Sequence, residues 1–117
     1  HMVSSHLVVE GAFRVRNFDR LRDEEGAMVI RPTRDYVAET GQLSAMTPDK
    51  DNIHWFVPKN GARAVTFDVI ISGIDPGEPP YAIEAVDPLA GEVPSDGTIR
   101  ALKIGFEAAS EKYTASV

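Results

Sequence analysis

The sequence predicts an all-β domain, a sandwich or barrel, on three observations. Short apolar or alternating stretches recur along the chain, and turn-forming residues separate them about every 8–12 residues, the spacing of β-sandwiches and barrels. Only one window, Phe106 to Thr114, has helical spacing.

Leu7 to Phe18 reads as a hairpin. Leu7-Val8-Val9 is apolar, Glu10-Gly11 can turn, and Phe13, Val15 and Phe18 follow in near-alternation, with Arg14 and Arg16 on the opposite face. Asp23-Glu24-Glu25-Gly26 is a polar turn. Met28-Val29-Ile30 is a strand stopped by Arg31-Pro32, and Tyr36 to Glu39 is a second short strand before Gly41. Leu43, Ala45 and Met46 form the next, which Pro48 ends; Asp49 to Asn52 is a turn. Ile53 to Val57 is a strand closed by Pro58, and Lys59-Asn60-Gly61 is a hairpin signal. Ala62 to Ser72 is predicted as the longest strand, with Val65, Phe67, Val69 and Ile71 on one face. Gly73 to Pro80 is a Gly/Pro-rich surface loop that returns at Tyr81-Ala82-Ile83, and Asp87 to Asp96 is another loop. Thr98 to Ile104 is a closing strand. In the helical window Phe106, Ala109 and Tyr113 make one apolar stripe that covers the core, and Glu107 suits the helix N-terminus.

The 117 residues suffice for one domain, 1–117, with His1-Met2 read as a cloning scar joined to an initiator methionine. Hydrophobic residues at 43% and charged residues at 26% are an ordinary globular balance. Cysteine is absent, which excludes disulfides, thiolate sites and a cysteine nucleophile and fits a reducing, cytoplasmic setting. With a net charge of -6 and its only arginine cluster (Arg14, Arg16, Arg20, Arg22) offset by neighbouring acids, the chain is not expected to bind nucleic acid. No apolar run approaches the ~20 residues that span a bilayer, so no membrane partner is expected. Phosphate-binding loops, dinucleotide fingerprints and nucleophile elbows are absent, and the three histidines form no recognisable triad in sequence.

Three stretches together resemble cupin-type thiol dioxygenases of the cysteamine dioxygenase and plant cysteine oxidase kind. His6 to Val15 looks like the V-L-x-G-x-x-x-V hairpin of cupins. Asn52-Ile53-His54-Trp55-Phe56 is similar to N-[IVL]-H-x-[FI], and Phe67-Asp68-Val69-Ile70 with Pro79-Pro80-Tyr81 resembles L-D-I-L…P-P-Y. The resemblance implies a cupin-like jelly-roll barrel holding one Fe(II) on three histidines, which leaves positions for O₂ and a thiol that is oxidised to a sulfinate. It makes His54 the third metal ligand, Asp68 a group orienting a ligand or substrate, and Tyr81 a hydroxyl in the thiol or oxygen pocket. The substrate it implies is a small thiol or an N-terminal cysteine. No separate organic cofactor is implied.

The sequence also departs from that pattern. The family's first two ligands form an H-x-H pair ahead of the hairpin at Leu7, and Met2 to His6 contains none. The expectation is that Met2 is an internal methionine of a longer reading frame, or that the domain was cut, leaving activity impaired or absent. The loop between Asp68 and Tyr81 is longer than the family's.

Read from residues alone, each candidate has a plainer role. His54 between Ile53 and Trp55 is a hydrogen-bonded structural residue. Asp68 points either inward with a partner or to solvent, Tyr81 plugs the barrel rim, and His6 faces the surface or a dimer partner. Two functions remain: the thiol dioxygenase, and a non-catalytic cupin-like module for ligand binding or self-association. The dioxygenase reading, missing its start, is expected as a homodimer or strand-exchanged pair, because a half-open barrel leaves an apolar mouth and bare strand edges.

Overall fold

The computed structural model describes residues 2–77 and 83–114. It is all-β and jelly-roll-like, with two antiparallel sheets and one short C-terminal helix. The strands are β1 (Met2–Glu10), β2 (Ala12–Glu24), β3 (Ala27–Glu39), β4 (Leu43–Met46), β5 (Ile53–Pro58), β6 (Val65–Ser72), β7 (Ala85–Glu92) and β8 (Ile99–Ile104), followed by α1 (Phe106–Thr114). The small sheet runs β4-β1-β6 and the large sheet β5-β2-β3-β8-β7. No helix among the described residues is long and apolar enough to cross a membrane.

Alternation within each strand decides what is buried. In β1, Ser4, His6 and Val8 point inward, while Val3, Ser5 and Leu7 lie on the outer face. In β2, Phe13, Val15 and Asn17 are buried, and the register with β3 shifts between Asn17 and Phe18. That bulge buries two consecutive side chains and passes the chain from one apolar cluster to the next. Val8, Phe13, Val15 and Ala38 form the cluster joining the two sheets, with Tyr36, Phe56 and Ala64 at its margin. Phe18, Met28, Ile30, Ile99 and Ala101 form the other, flanked by Ile53, Trp55 and Val86.

The strand sites agree well with the sequence, whereas the pairings differ. Leu7 to Phe18 is not a hairpin, because β1 pairs with β4 and β6 while β2 pairs with β3 and β5. Gly11, at φ 75°, is the corner where the chain changes sheets, and a Cβ there would lie 2.5 Å from the Arg63 carbonyl oxygen. Lys59–Gly61 is likewise a 3₁₀ turn between sheets, since β5 and β6 belong to different ones. Pro32 does not stop β3, which runs 13 residues from Ala27 to Glu39. β8 covers only Ala27 to Ile30, so from Pro32 onward one side of β3 is open and the missing N–H leaves no gap in a ladder. β2 and β3, not the segment after Ala62, are therefore the longest strands. Asp87 to Glu92 belongs to β7, where a register shift against β8 accommodates Pro88 and Gly91. The expected helix and the strands at Leu43, Ile53 and Ile99 are found where the sequence placed them.

Gly11→Ala is expected to destabilise the chain by more than about 2 kcal/mol, since a left-handed backbone is combined with contact against rigid main chain. Gly26, also at positive φ but with open space around it, is the control, where Ala should cost only about 1 kcal/mol. Urea denaturation of the two variants measures the difference.

Candidate functional site

Facing residues of the two sheets build a buried polar cluster inside the sandwich. His6 in β1 and Asp68 in β6 are direct cross-strand partners and so share the inner face. His6 Nδ1 lies 2.9 Å from Asp68 Oδ1, and His6 Nε2 lies 3.1 Å from Ser4 Oγ. The Nδ1–H tautomer directs its proton at Asp68 and leaves Nε2 to accept from the Ser4 hydroxyl. The chain thus links serine, histidine and aspartate in the order of a hydrolytic triad. The burial is the reverse of what a nucleophile needs: Ser4 is 1% exposed, whereas the Asp68 side chain is 41% exposed.

His54 enters from the opposite sheet. Its ring meets His6 edge-on at 4.6 Å between centroids, and Phe56 edge-on at 5.1 Å. Burial pulls its pKa down to about 4; nearby His6 adds to the effect and Asp68 partly opposes it. His54 is therefore a neutral imidazole near pH 7. Its cross-strand partner in β2 is Asn17, which is buried and whose Oδ1 has no hydrogen-bond partner among the described residues. The bulge between Asn17 and Phe18 sits at this point.

Next to this cluster a cavity of about 540 Å³ opens between the sheets and α1. His54 lies on its wall with Met28, Met46, Trp55 and Ile53, and the helical stripe Phe106, Ala109 and Tyr113 closes one side. Arg20 and Glu84 flank it, 4.0 Å apart. The stripe covers this cavity rather than solid core, and Phe106 remains 59% exposed.

Asp87 anchors that cover. It is buried in β7 and accepts hydrogen bonds from Lys112 Nζ and the Tyr113 hydroxyl, and from the backbone N–H groups of Leu89 and Ala90 at 3.0 and 3.1 Å. Burial alone would raise its pKa. The hydrogen bonds from Lys112, Tyr113 and Leu89 outweigh it, and the carboxyl is held below its ordinary value. Tyr113 is pushed upward by burial and by its bond to Asp87, and its ring packs edge-on to Trp55 at 5.7 Å.

Two of the three residues singled out by the resemblance, His54 and Asp68, are thus brought to one cluster, joined through His6. Asp68 takes the inward of its two orientations. His6 is inward too, not on the surface, because it shares the buried face of β1 with Ser4 and Val8. Tyr81 lies outside the described residues. Sequence reading missed Asn17 and Asp87. Asn17 occupies an inward position of an otherwise apolar alternation, a signal present in the sequence; Asp87 carries none, since its partners come from a helix 25 residues away.

The Fe(II) implied by the resemblance needs three donors converging on one point. Among the described residues no three His, Asp or Glu side chains are grouped to hold a metal ion. Both His6 nitrogens are already engaged, by Asp68 and Ser4. The described residues do not fit the iron site, and no chemical step is derived through it. Comparison with known proteins finds no matching family model, curated protein or solved structure.

Two outcomes are expected of this site. Stability should fall as pH drops from about 6.5 toward about 4, because the unfolded chain protonates His54 more readily than the folded one. The loss should reach up to about 3 kcal/mol and flatten in His54→Phe, as measured by urea denaturation across that range. Asp87→Asn should cost about 1.5–3 kcal/mol by removing the charged acceptor of Lys112. It should also lower the helical far-UV signal and shift Trp55 emission to the red as α1 loosens.

Proposed function

We propose that this chain is a small-molecule-binding module of jelly-roll-like form, whose cavity beneath α1 takes an uncharged, largely apolar molecule carrying one hydroxyl, thiol or amide group. The observation that carries the proposal is a largely apolar cavity, with Arg20 and Glu84 4.0 Å apart on its wall, that has a neutral imidazole in its lining and the buried Asn17 paired across from that imidazole. Asn17 Oδ1 has no hydrogen-bond partner among the described residues, and His54, on the cavity wall, is held neutral. Buried polar groups are ordinarily hydrogen-bonded, and binding sites combine apolar walls with a few such groups. The volume of about 540 Å³ is in the range of small-molecule pockets. A neutral imidazole both donates and accepts, so it suits a hydroxyl or thiol and gives no attraction to an anion. A small thiol, the substrate class the resemblance implies, is within this class as a ligand. Thiol oxidation itself rests on the resemblance and needs donors that the described residues do not assemble.

Trp55 is the only tryptophan in the chain and lines the cavity, so its emission reports occupancy. Benzyl alcohol and benzyl mercaptan are expected to produce saturable changes at concentrations about tenfold lower than toluene, the difference one hydrogen bond makes. His54→Phe should remove that preference. No saturable change with any of the three overturns the proposal. After anaerobic incubation with ferrous iron and desalting, the chain is expected to retain none. Retention of about one iron per chain with thiol-dependent oxygen uptake would replace this reading with the dioxygenase.

A further inference from the structure

Beyond Glu10, which pairs with Val65 at one end and meets Arg63, the outer face of the small sheet lacks charge and cover among the described residues. Register places Leu43, Leu7 and Phe67 side by side across its three strands, with Val69 beside Ser5 and Ile71 beside Val3 in the rows below. Leu43 is 65% exposed and Phe67 61%, and Val69 and Ile71 are about half exposed. None of these residues is ionisable; Asp68, the one charge in β6, is on the inner face with His6. β6 is also an edge strand without Lys, Arg or Pro, and its one charge, Asp68, points inward.

We propose that this face is where two copies of the chain associate, outer sheet against outer sheet about a two-fold axis. Any partner must itself be uncharged over this surface, because an unpaired charge buried against it is costly. The chain carries a net charge of -6, yet this face meets that requirement, and a two-fold contact brings the face onto itself. Its alternating apolar side chains suit sheet-on-sheet packing at about 10 Å separation. Size sets the strength. Strands of nine, eight and four residues, about 4.8 Å apart and rising ~3.3 Å per residue, cover roughly 330 Å² in projection. A standard stable interface buries about 800 Å² per partner. The face supplies about two-fifths of that, so the dimer is reversible and forms with rising concentration. This inference does not depend on what fills the cavity.

Sedimentation equilibrium from low-micromolar to millimolar concentration tests it. The wild-type chain should pass from monomer to dimer within that range. Val69→Lys and Leu43→Lys, both at exposed positions, should fold with unchanged circular dichroism and stay monomeric throughout. Leu89→Lys, equally exposed but on β7 in the other sheet, should dimerise as wild type does. A wild-type chain that remains monomeric at every concentration overturns the proposal. So does a Val69→Lys variant that dimerises as tightly as wild type; exchange protection of the outward β6 amides in that variant would move the contact to the strand edge.

Discussion

The corner at Gly11 is the constraint on which the architecture rests. Here the chain leaves the small sheet after β1 and enters the large sheet as β2. A side chain at that point would collide with the main chain of Arg63 and Ala64, the segment that carries the chain back from β5 to β6. These two of the chain's crossings between sheets, β1 to β2 and β5 to β6, therefore meet at one place, each packed against the other. With any larger residue they would have to separate, and the distance between the inner faces would change with them. That distance decides whether Val8 reaches Phe13 and Val15, and whether His6 reaches His54.

The interior framed this way is polar at one end and apolar at the other. Ser4, His6 and Asp68 form a connected set in which both nitrogens of His6 are engaged. Asn17 and His54 are directly paired across β2 and β5, His54 lines the cavity, and Asn17 Oδ1 has no hydrogen-bond partner among the described residues. The bulge between Asn17 and Phe18 separates these roles. It turns one side chain toward the polar cluster and the next into the apolar cluster that backs Trp55. α1 completes the enclosure through Asp87, whose buried carboxylate gathers Lys112 and Tyr113 and so fixes the helix by charge more than by packing.

Much of this was legible along the chain, in identifiable places. The helix at Phe106 was readable because its stripe repeats at three and four residues, and β4, β5 and β8 because proline or turn residues bracket short alternating runs. Prolines misled at Pro32, where only the pairing of β8 reveals that no partner needs the missing N–H. Turn signals misled at Gly11 and Asn60: a turn residue shows that the chain bends, but not whether the following strand pairs with the one before it. Among site residues, His54 and Asp68 were singled out through the resemblance, while Asn17 stood in plain alternation and was passed over. His6, taken for a surface residue, is buried because its neighbours Ser4 and Val8 set the inward face of β1.

By itself the sequence determined the fold class, the position of most strands, the single helix, and which side chains share a face. All of these follow from local periodicity and from the φ limits of glycine and proline. The tertiary structure alone decided which strands pair, which face is covered and which polar groups meet. Those outcomes depend on contacts between residues such as His6 and Asp68, or Asp87 and Lys112, that lie tens of positions apart. No local pattern encodes them, because their energy exists only once both sheets are in place.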